Sequence, residues 1–296
     1  MLVSVVIRTL NEQRYLRELL VCVGSQKSDL FTIETVVIDS GSTDGTLEIA
    51  KEFGCRITHI SKADFTFGRS LNLGCKYANG EVFVLVSGHC IPTGEKWLHN
   101  LVIPITDGRV AYTYGRQVGR DSTKFSEIQL FKKYFPLESK IPQEGFFVNN
   151  ANSALSRVMW EKYRFDEELT GLEDMDLAKR YVDDGGEVAY VSQAIVYHIH
   201  DEKWSHTKRR YERESIALQK IMPEIQVSIG DGLRYFFAAI MSDFSKALTE
   251  RRLASESISI LNFRSAQYLG TYIGNHEHRK LSKEKKERYF YPTSEI

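Results

Sequence analysis

The residues with the most capacity for chemistry stand directly after apolar runs. Thr9, Asn11 and Glu12 follow Leu2 to Ile7; Asp39, Ser40 and Asp44 end or follow Ile33 to Asp39; Ser87, Gly88 and His89 follow Glu81 to Val86. In an open α/β sheet the ligand lies beyond the carboxyl ends of the strands, so these are the positions that would meet it. Taken singly, Asp39 and Asp44 are more often turn and cap residues, because an Asx side chain readily bonds the backbone two residues on. No G-x-G-x-x-G follows the first run and no G-x-x-x-x-G-K-[ST] occurs, so the glycine cradles of dinucleotide and P-loop sites are both missing. The groups that are present suit a nucleotide held by carboxylates on its base and ribose, with its diphosphate neutralised by a metal.

The elements that must position these groups read as an alternation. Leu2 to Ile7 is short and rich in β-branched residues, as in a buried strand. Leu16, Leu19, Leu20 and Val23 then recur at helical spacing. Ile33 to Asp39 predicts a second strand, and Ser40 to Gly45 offers N-cap oxygens for a helix beginning near Thr46. Cys55 to Ile60 and Glu81 to Val86 predict further strands, with a helix from about Ser70 to Ala78 closed by Gly80. The first hundred residues therefore predict a parallel α/β sheet. After Gly115 the rhythm loosens into a helix near Lys124 to Tyr134 and an irregular stretch through Pro136, Pro142 and Gly145, which suits a substrate-facing insertion. Asp174 to Val182 predicts an amphipathic helix stopped by Gly185-Gly186, followed by strand-like Glu187 to Val191 and Ile195 to Ile199. From Lys203 onward the pattern is helical, with apolar helices at Leu233 to Leu248 and Ile258 to Ile273 and a basic tail from Arg279 to Lys286. The expected division is an α/β domain, 1–202, and a helical extension, 203–296.

The 296 residues carry 39 Lys and Arg against 39 Asp and Glu, so no overall field favours nucleic acid. An apolar share of 42% excludes a disordered chain. The longest apolar stretches, such as Phe236 to Met241, are far shorter than the ~20 residues a spanning helix needs. The N-terminus lacks the charged, apolar and small-residue regions of a secretion signal. Cys22, Cys55, Cys75 and Cys90 form no C-x-x-C pair, which argues against a zinc knuckle and a disulfide framework. The expected location is the cytoplasm, with the apolar C-terminal helices and basic tail suited to an anionic membrane surface. Those helices are equally suited to pairing two copies.

Val5-Val6-Ile7-Arg8-Thr9-Leu10-Asn11-Glu12 and then Val36 to Thr46, Val-Val-Ile-Asp-Ser-Gly-Ser-Thr-Asp-Gly-Thr, resemble the inverting glycosyltransferases of family 2, which have a GT-A fold. Phe65 to Asn72, Tyr114-Gly115-Arg116-Gln117 and Gly171-Leu172-Glu173-Asp174-Met175-Asp176-Leu177 look like its rhamnosyltransferase-type branch. The resemblance implies a nucleotide-sugar-binding fold with a mostly parallel central sheet, followed here by helices. It also implies that Thr9, Asn11, Glu12, Asp39 and Arg69 surround the nucleotide and that Asp174 of the Glu173-Asp174 pair is the catalytic base; Ser87, at a strand end, and Asn150 are expected to join the nucleotide site. A carboxylate near a helix start is favoured as an anion, yet can take a proton from an attacking hydroxyl. An isolated acid pair there reads more readily as an ordinary first turn; the order of motifs favours catalysis.

One departure from the family pattern concerns the metal. Where its members carry an Asp-x-Asp motif, this chain has Ser87-Gly88-His89. His198 and His200 lie near another histidine position of the family, and on an extended run they share a face. His89 with His198 or His200 would form a neutral site for a divalent cation, better suited to Mn²⁺ than to Mg²⁺, which prefers oxygen ligands. The alternative is diphosphate bonding by these imidazoles without metal. Asn149, Asn150 and Asn152 fit a sugar pocket as well as a loop. Trp97 and Trp160 read as core, and Trp204 as either a sugar-stacking or a helix-surface residue.

The expected function is transfer, with inversion, of a sugar from a nucleoside-diphosphate donor to a hydroxyl of a glycan or lipid-linked glycan in surface polysaccharide synthesis. A sugar nucleotidyltransferase would need a glycine-rich basic loop that Thr9-Leu10-Asn11-Glu12 does not provide. A catalytically silent sugar-nucleotide or glycan-binding module is the competing reading, motivated by the replaced carboxylate.

Overall fold

The computed structural model describes residues 1–201 and 203–277; the basic tail expected from Arg279 to Lys286 lies outside them. The described chain forms two compact units, one of Met1–Thr123 with Glu127–Asp201, the other of Lys124–Ser126 with the chain beyond Asp201.

As far as Asp201 the elements run β1 (Leu2–Thr9), α1 (Gln13–Gly24), β2 (Thr32–Asp39), α2 (Thr46–Glu52), β3 (Arg56–His59), α3 (Phe67–Tyr77), β4 (Val82–Ser87), β5 (Cys90–Pro92), α4 (Trp97–Thr106), β6 (Tyr112–Val118), α5 (Phe125–Tyr134), β7 (Asn152–Ser156), α6 (Arg157–Tyr163), α7 (Glu173–Asp183) and β8 (Val188–His198). The strands form one sheet of order β3-β2-β1-β4-β7-β6-β8-β5. Its core lies on both faces. Val3, Val5 and Ile7 of β1 point to one side with Leu16, Leu19, Trp97 and Leu101, while Val6 points to the other with Ile38, Leu71, Phe83, Trp160 and Leu177. Burial on both faces is why these strands read as unbroken apolar runs.

The half β3-β2-β1-β4 is parallel, as expected. Within the first hundred residues β5 departs from that expectation: it pairs antiparallel with β8. Beyond them, β7 inserts antiparallel between β4 and β6. Its sequence Asn152-Ser-Ala-Leu-Ser carries no apolar run, and Asn152 and Ser153 can be buried because hydrogen bonds satisfy them. The two strand-like runs expected between Glu187 and Ile199 are one strand, β8, whose register against β6 jumps from Gly115↔Val191 to Arg116↔Ile195. Asn152 holds that irregularity together. Its Nδ2 donates to Ala194 O at 2.8 Å and Arg116 O at 3.2 Å, and its Oδ1 accepts from Trp97 Nε1 at 2.9 Å. Gly115 is required beside it, since a Cβ there would lie 2.2 Å from Ala194 O and 2.4 Å from Asn152 Nδ2. Asn152 is thus a framework residue rather than part of a pocket. Trp97 and Trp160 are core, each 1% exposed.

The second unit contains α8 (Trp204–Ile221), α9 (Ile229–Thr249) and α10 (Leu253–Asn275). Gly270 and Gly274 let α10 approach α8, since Cβ atoms there would meet Lys208 O at 2.3 Å and Glu212 O at 2.2 Å. A buried ion pair joins α9 to α10, with Arg264 Nε and Nη2 on Asp243 at 2.8 and 3.0 Å. Trp204 carries Lys124 Nζ over its ring at 5.3 Å. Ile229, Leu233, Phe237, Met241 and Leu248 leave an exposed apolar stripe along α9. Among the described residues no helix is long and apolar enough to cross a membrane.

Replacing Asn152 by Ala leaves the Trp97 donor and two carbonyls buried without partners. Asn152→Ala is expected to cost about 3 kcal/mol, measured as a lowered urea midpoint at unchanged slope; a loss below about 1 kcal/mol would show that the irregularity of β8 does not depend on this side chain.

Candidate active site

The turn after β2 is organised by a fully buried carboxylate. Asp39 Oδ2 accepts from the N–H groups of Gly41 and Ser42, both at 2.9 Å, and Oδ1 accepts from Thr9 Oγ1 at 3.1 Å and from Ser42 Oγ. Burial pushes the Asp39 carboxyl upward, but the bonds from Ser42, Gly41 and Thr9 outweigh it and hold it below the usual range. Asn11 sits at φ +57°, a left-handed backbone that asparagine tolerates, and its Oδ1 accepts from Thr43 N–H at 2.8 Å. Thr9, Asn11 and Asp39 are therefore brought together as expected, and their polar groups shape the β1 and β2 ends.

Glu12 serves a second element. Thr46 Oγ1 accepts from its N–H at 2.8 Å, while its carboxylate Oε1 lies 2.9 Å from His89 Nδ1. Gly88 makes this possible, because a Cβ there would stand 2.8 Å from Glu12 Cγ. Ser87 closes β4 opposite Arg8, and its N–H donates to Ala151 O at 3.4 Å.

His89, His198 and His200 form one cluster, so the structure joins to His89 both histidines that the sequence offered as alternatives. One ring nitrogen from each lies within 4.8 Å of the others. Each Nδ1 has an oxygen partner: Glu12 for His89, Gln117 Oε1 at 2.6 Å for His198, and Glu127 Oε1 at 2.8 Å for His200. Such outer bonds orient metal-bound imidazoles, leaving Nε2 as the nitrogen that faces an ion. The donor set thus fits a divalent transition ion.

Asp174 stands in the first turn of α7, 7% exposed. Its Oδ2 accepts from Asn150 N–H and its Oδ1 from Met175 N–H, each at 2.8 Å. Burial, then the adjacent Glu173 charge, push its carboxyl up to about 7 against the pull of these N–H groups and Arg8. Glu173 is itself paired with Arg8 Nη1 at 3.3 Å, and Arg8 lies over the Phe67 ring. Burial, followed by the two carboxylates, also raises the Tyr112 phenol, which donates to Asn150 Oδ1 at 2.6 Å. A carboxylate poised near neutrality can take a proton from a hydroxyl.

The turn from Asn149 to Ala151 connects the two centres. Asn149 Oδ1 accepts from Gln117 Nε2 at 2.8 Å, and Gln117 meets His198; the next residue gives its N–H to Asp174. Asn150 is thereby placed against Asp174, with Ser153 Oγ on its Oδ1 at 2.7 Å. Arg69 is committed elsewhere, with Nε on Glu167 at 3.0 Å and Nη1 on Asp64 O at 2.9 Å. Sequence reasoning missed Gln117 as a partner of His198, although it closes the Tyr114 to Gln117 motif. It also missed Glu127, whose place on a helix resembled a solvent-facing acid.

Residues 4–164 match the model of glycosyl transferase family 2. The O-antigen chain rhamnosyltransferase RfbN of Salmonella typhimurium is 25% identical over 85% of this chain and 83% of its own. WbaN of Salmonella anatum, another O-antigen chain rhamnosyltransferase, is 25% identical over 82% and 80%. The fold is similar to a mannosyltransferase of Pyrobaculum calidifontis solved with GDP-Man and Mn²⁺, at 16% identity, TM-score 0.63, and coverage of 95% and 87%. It is also similar to glucosyl-3-phosphoglycerate synthase of Mycobacterium tuberculosis solved with Mn²⁺ and UDP-glucose, at 18% identity, TM-score 0.51, and coverage of 74% and 79%. With its GT-A sheet and a family match spanning more than half its length, the chain belongs to glycosyl transferase family 2 and is a glycosyltransferase.

Proposed function

We propose that this enzyme transfers a sugar, with inversion, from a nucleoside-diphosphate donor to a hydroxyl of a growing surface glycan, the setting of both Salmonella relatives. The observation that carries this reading is Asp174, a buried carboxylate raised to about 7 and held by Asn150 N–H next to the turn that reaches the histidine cluster.

Asp174 takes the proton of the acceptor hydroxyl as its oxygen forms a bond to the anomeric carbon. The bond from that carbon to the diphosphate breaks on the opposite face, which inverts the centre. Asn150 N–H and Met175 N–H fix the carboxylate for this transfer. Arg8 keeps Glu173 paired, so that one acid of the two remains to accept the proton. Thr9, Asn11 and Asp39 shape the nucleotide end, while Arg69 is held by Glu167 and Asp64. His89, His198 and His200 would hold a divalent cation, whose charge supplies stabilisation to the departing diphosphate. The exposed apolar stripe of α9 supports association with a membrane surface, where a lipid-linked acceptor would reside.

Asp174→Asn is expected to lower transfer by about 10²- to 10⁴-fold while leaving nucleoside-diphosphate binding intact; equal loss of both would remove the base assignment. In the wild type, kcat/KM should fall about tenfold per pH unit below a midpoint near 7, as protonation removes the base. A flat profile from pH 5.5 to 8 contradicts it. Stability has the same origin. The folded carboxyl lies above its unfolded value, so the protein loses stability as pH rises from about 4 to 7. The melting temperature of Asp174→Asn relative to wild type should therefore increase between pH 5 and pH 8, and a constant difference would exclude a raised Asp174. His89→Ala should weaken Mn²⁺ binding by more than about 100-fold, beyond the usual loss for an outer partner; unchanged binding, followed by paramagnetic resonance, removes the histidines from metal binding.

A further inference from the structure

His198 faces an amide, and an amide can present either of its ends. Were Gln117 turned so that its NH₂ met His198 Nδ1, that nitrogen would have to be the acceptor. The proton would then sit on Nε2 and prevent coordination through it. The hydrogen bonds decide between the two orientations, beginning at a group that cannot reverse. The Ala151 backbone N–H can only donate, and it points at Asn149 at 3.1 Å, which makes the Asn149 atom Oδ1. The Gln117 atom 2.8 Å from that same oxygen must be its donor, Nε2. Gln117 therefore turns Oε1 toward His198, 2.6 Å from Nδ1, and Nδ1 must carry the proton. Gln117 is 2% exposed and its bond to His198 is buried, so water does not compete for that bond. His89 and His200 need no such relay, because their Nδ1 partners are the Glu12 and Glu127 carboxylates, acceptors when ionised.

We propose that Asn149 and Gln117 are positioning residues that lock His198 in the Nδ1-protonated tautomer, so that its Nε2 is the nitrogen offered to a divalent cation alongside His89 and His200. The inference rests on the cation reading given above. It adds that one ligand of the site is set by a backbone N–H two amides away. The same turn also seats Asp174 through the next N–H, so positioning of the cation ligand and of the base share one segment.

The test reads tautomer and metal separately. In full-length protein with ¹⁵N-labelled histidine, at pH 8 with chelator, two-bond proton–nitrogen correlation identifies the protonated ring nitrogen; His198→Gln assigns the His198 signals. Wild type is expected to show Nδ1–H at His198. Asn149→Asp keeps the acceptor and should keep that tautomer. Asn149→Leu frees Gln117 to turn and should give a mixture or Nε2–H, while the His89 and His200 signals stay in place and report an intact fold. Mn²⁺ affinity, measured with the metal alone, should fall about 10- to 100-fold in Asn149→Leu and in Gln117→Leu. An Nε2–H signal at His198 in wild type, or an unchanged tautomer in Asn149→Leu, overturns the relay. Failure of wild type to bind Mn²⁺ overturns the cation reading instead, and the tautomer spectra distinguish the two failures.

Discussion

Between α5 and β7 the chain carries peptide groups and amide side chains into a region with little water, where each polar atom must find a partner or cost the fold about 1–3 kcal/mol. The segment from Asn149 to Asn152 meets that constraint in several directions at once. Asn149 turns to Gln117, Asn150 gives its N–H to Asp174, and Asn152 binds Trp97 and the carbonyls of β6 and β8. The antiparallel insertion of β7, the irregularity of β8 and the placement of Asp174 all draw on this one hydrogen-bonded segment.

The electrostatics follow from the same burial. Asp39 and Asp174 are both withdrawn from water, yet they move in opposite directions. Asp39 is surrounded by donors from Ser42, Gly41 and Thr9 and stays ionised below the usual range. Asp174 has two N–H donors but also the neighbouring Glu173 charge, and burial prevails. Two carboxylates are thus tuned in opposite directions, Asp39 by its donors and Asp174 by burial and the Glu173 charge: one shapes a loop, the other is suited to accept a proton.

The histidine cluster depends on a close approach between β4 and the chain after β1. With Gly88 lacking a side chain, Glu12 passes close enough to bond His89, so a carboxylate lies behind the imidazole. The parallel strands β1, β2 and β4 bring Thr9, Asp39, Ser87 and the start of this cluster to one edge, because parallel strands end on the same side.

Much of this was legible in the sequence where local pattern governs. Apolar runs buried on both faces announced β1, β2 and β4, and the Asx-rich turns between Asp39 and Thr46 announced a helix start. The family resemblance rested on residues within such segments. By contrast, β7 is short and polar, and only pairing with β4 and β6 makes it a strand. That His89 meets both His198 and His200, that Glu12 stands behind His89, and that Glu127 and Gln117 hold the other rings all depend on contacts between distant segments. The sequence by itself determined which side chains were available and which strands would carry them, because periodicity and turn chemistry are short-range. The tertiary structure alone decided their partners, burial and proton affinities, because these depend on what the fold packs around each group.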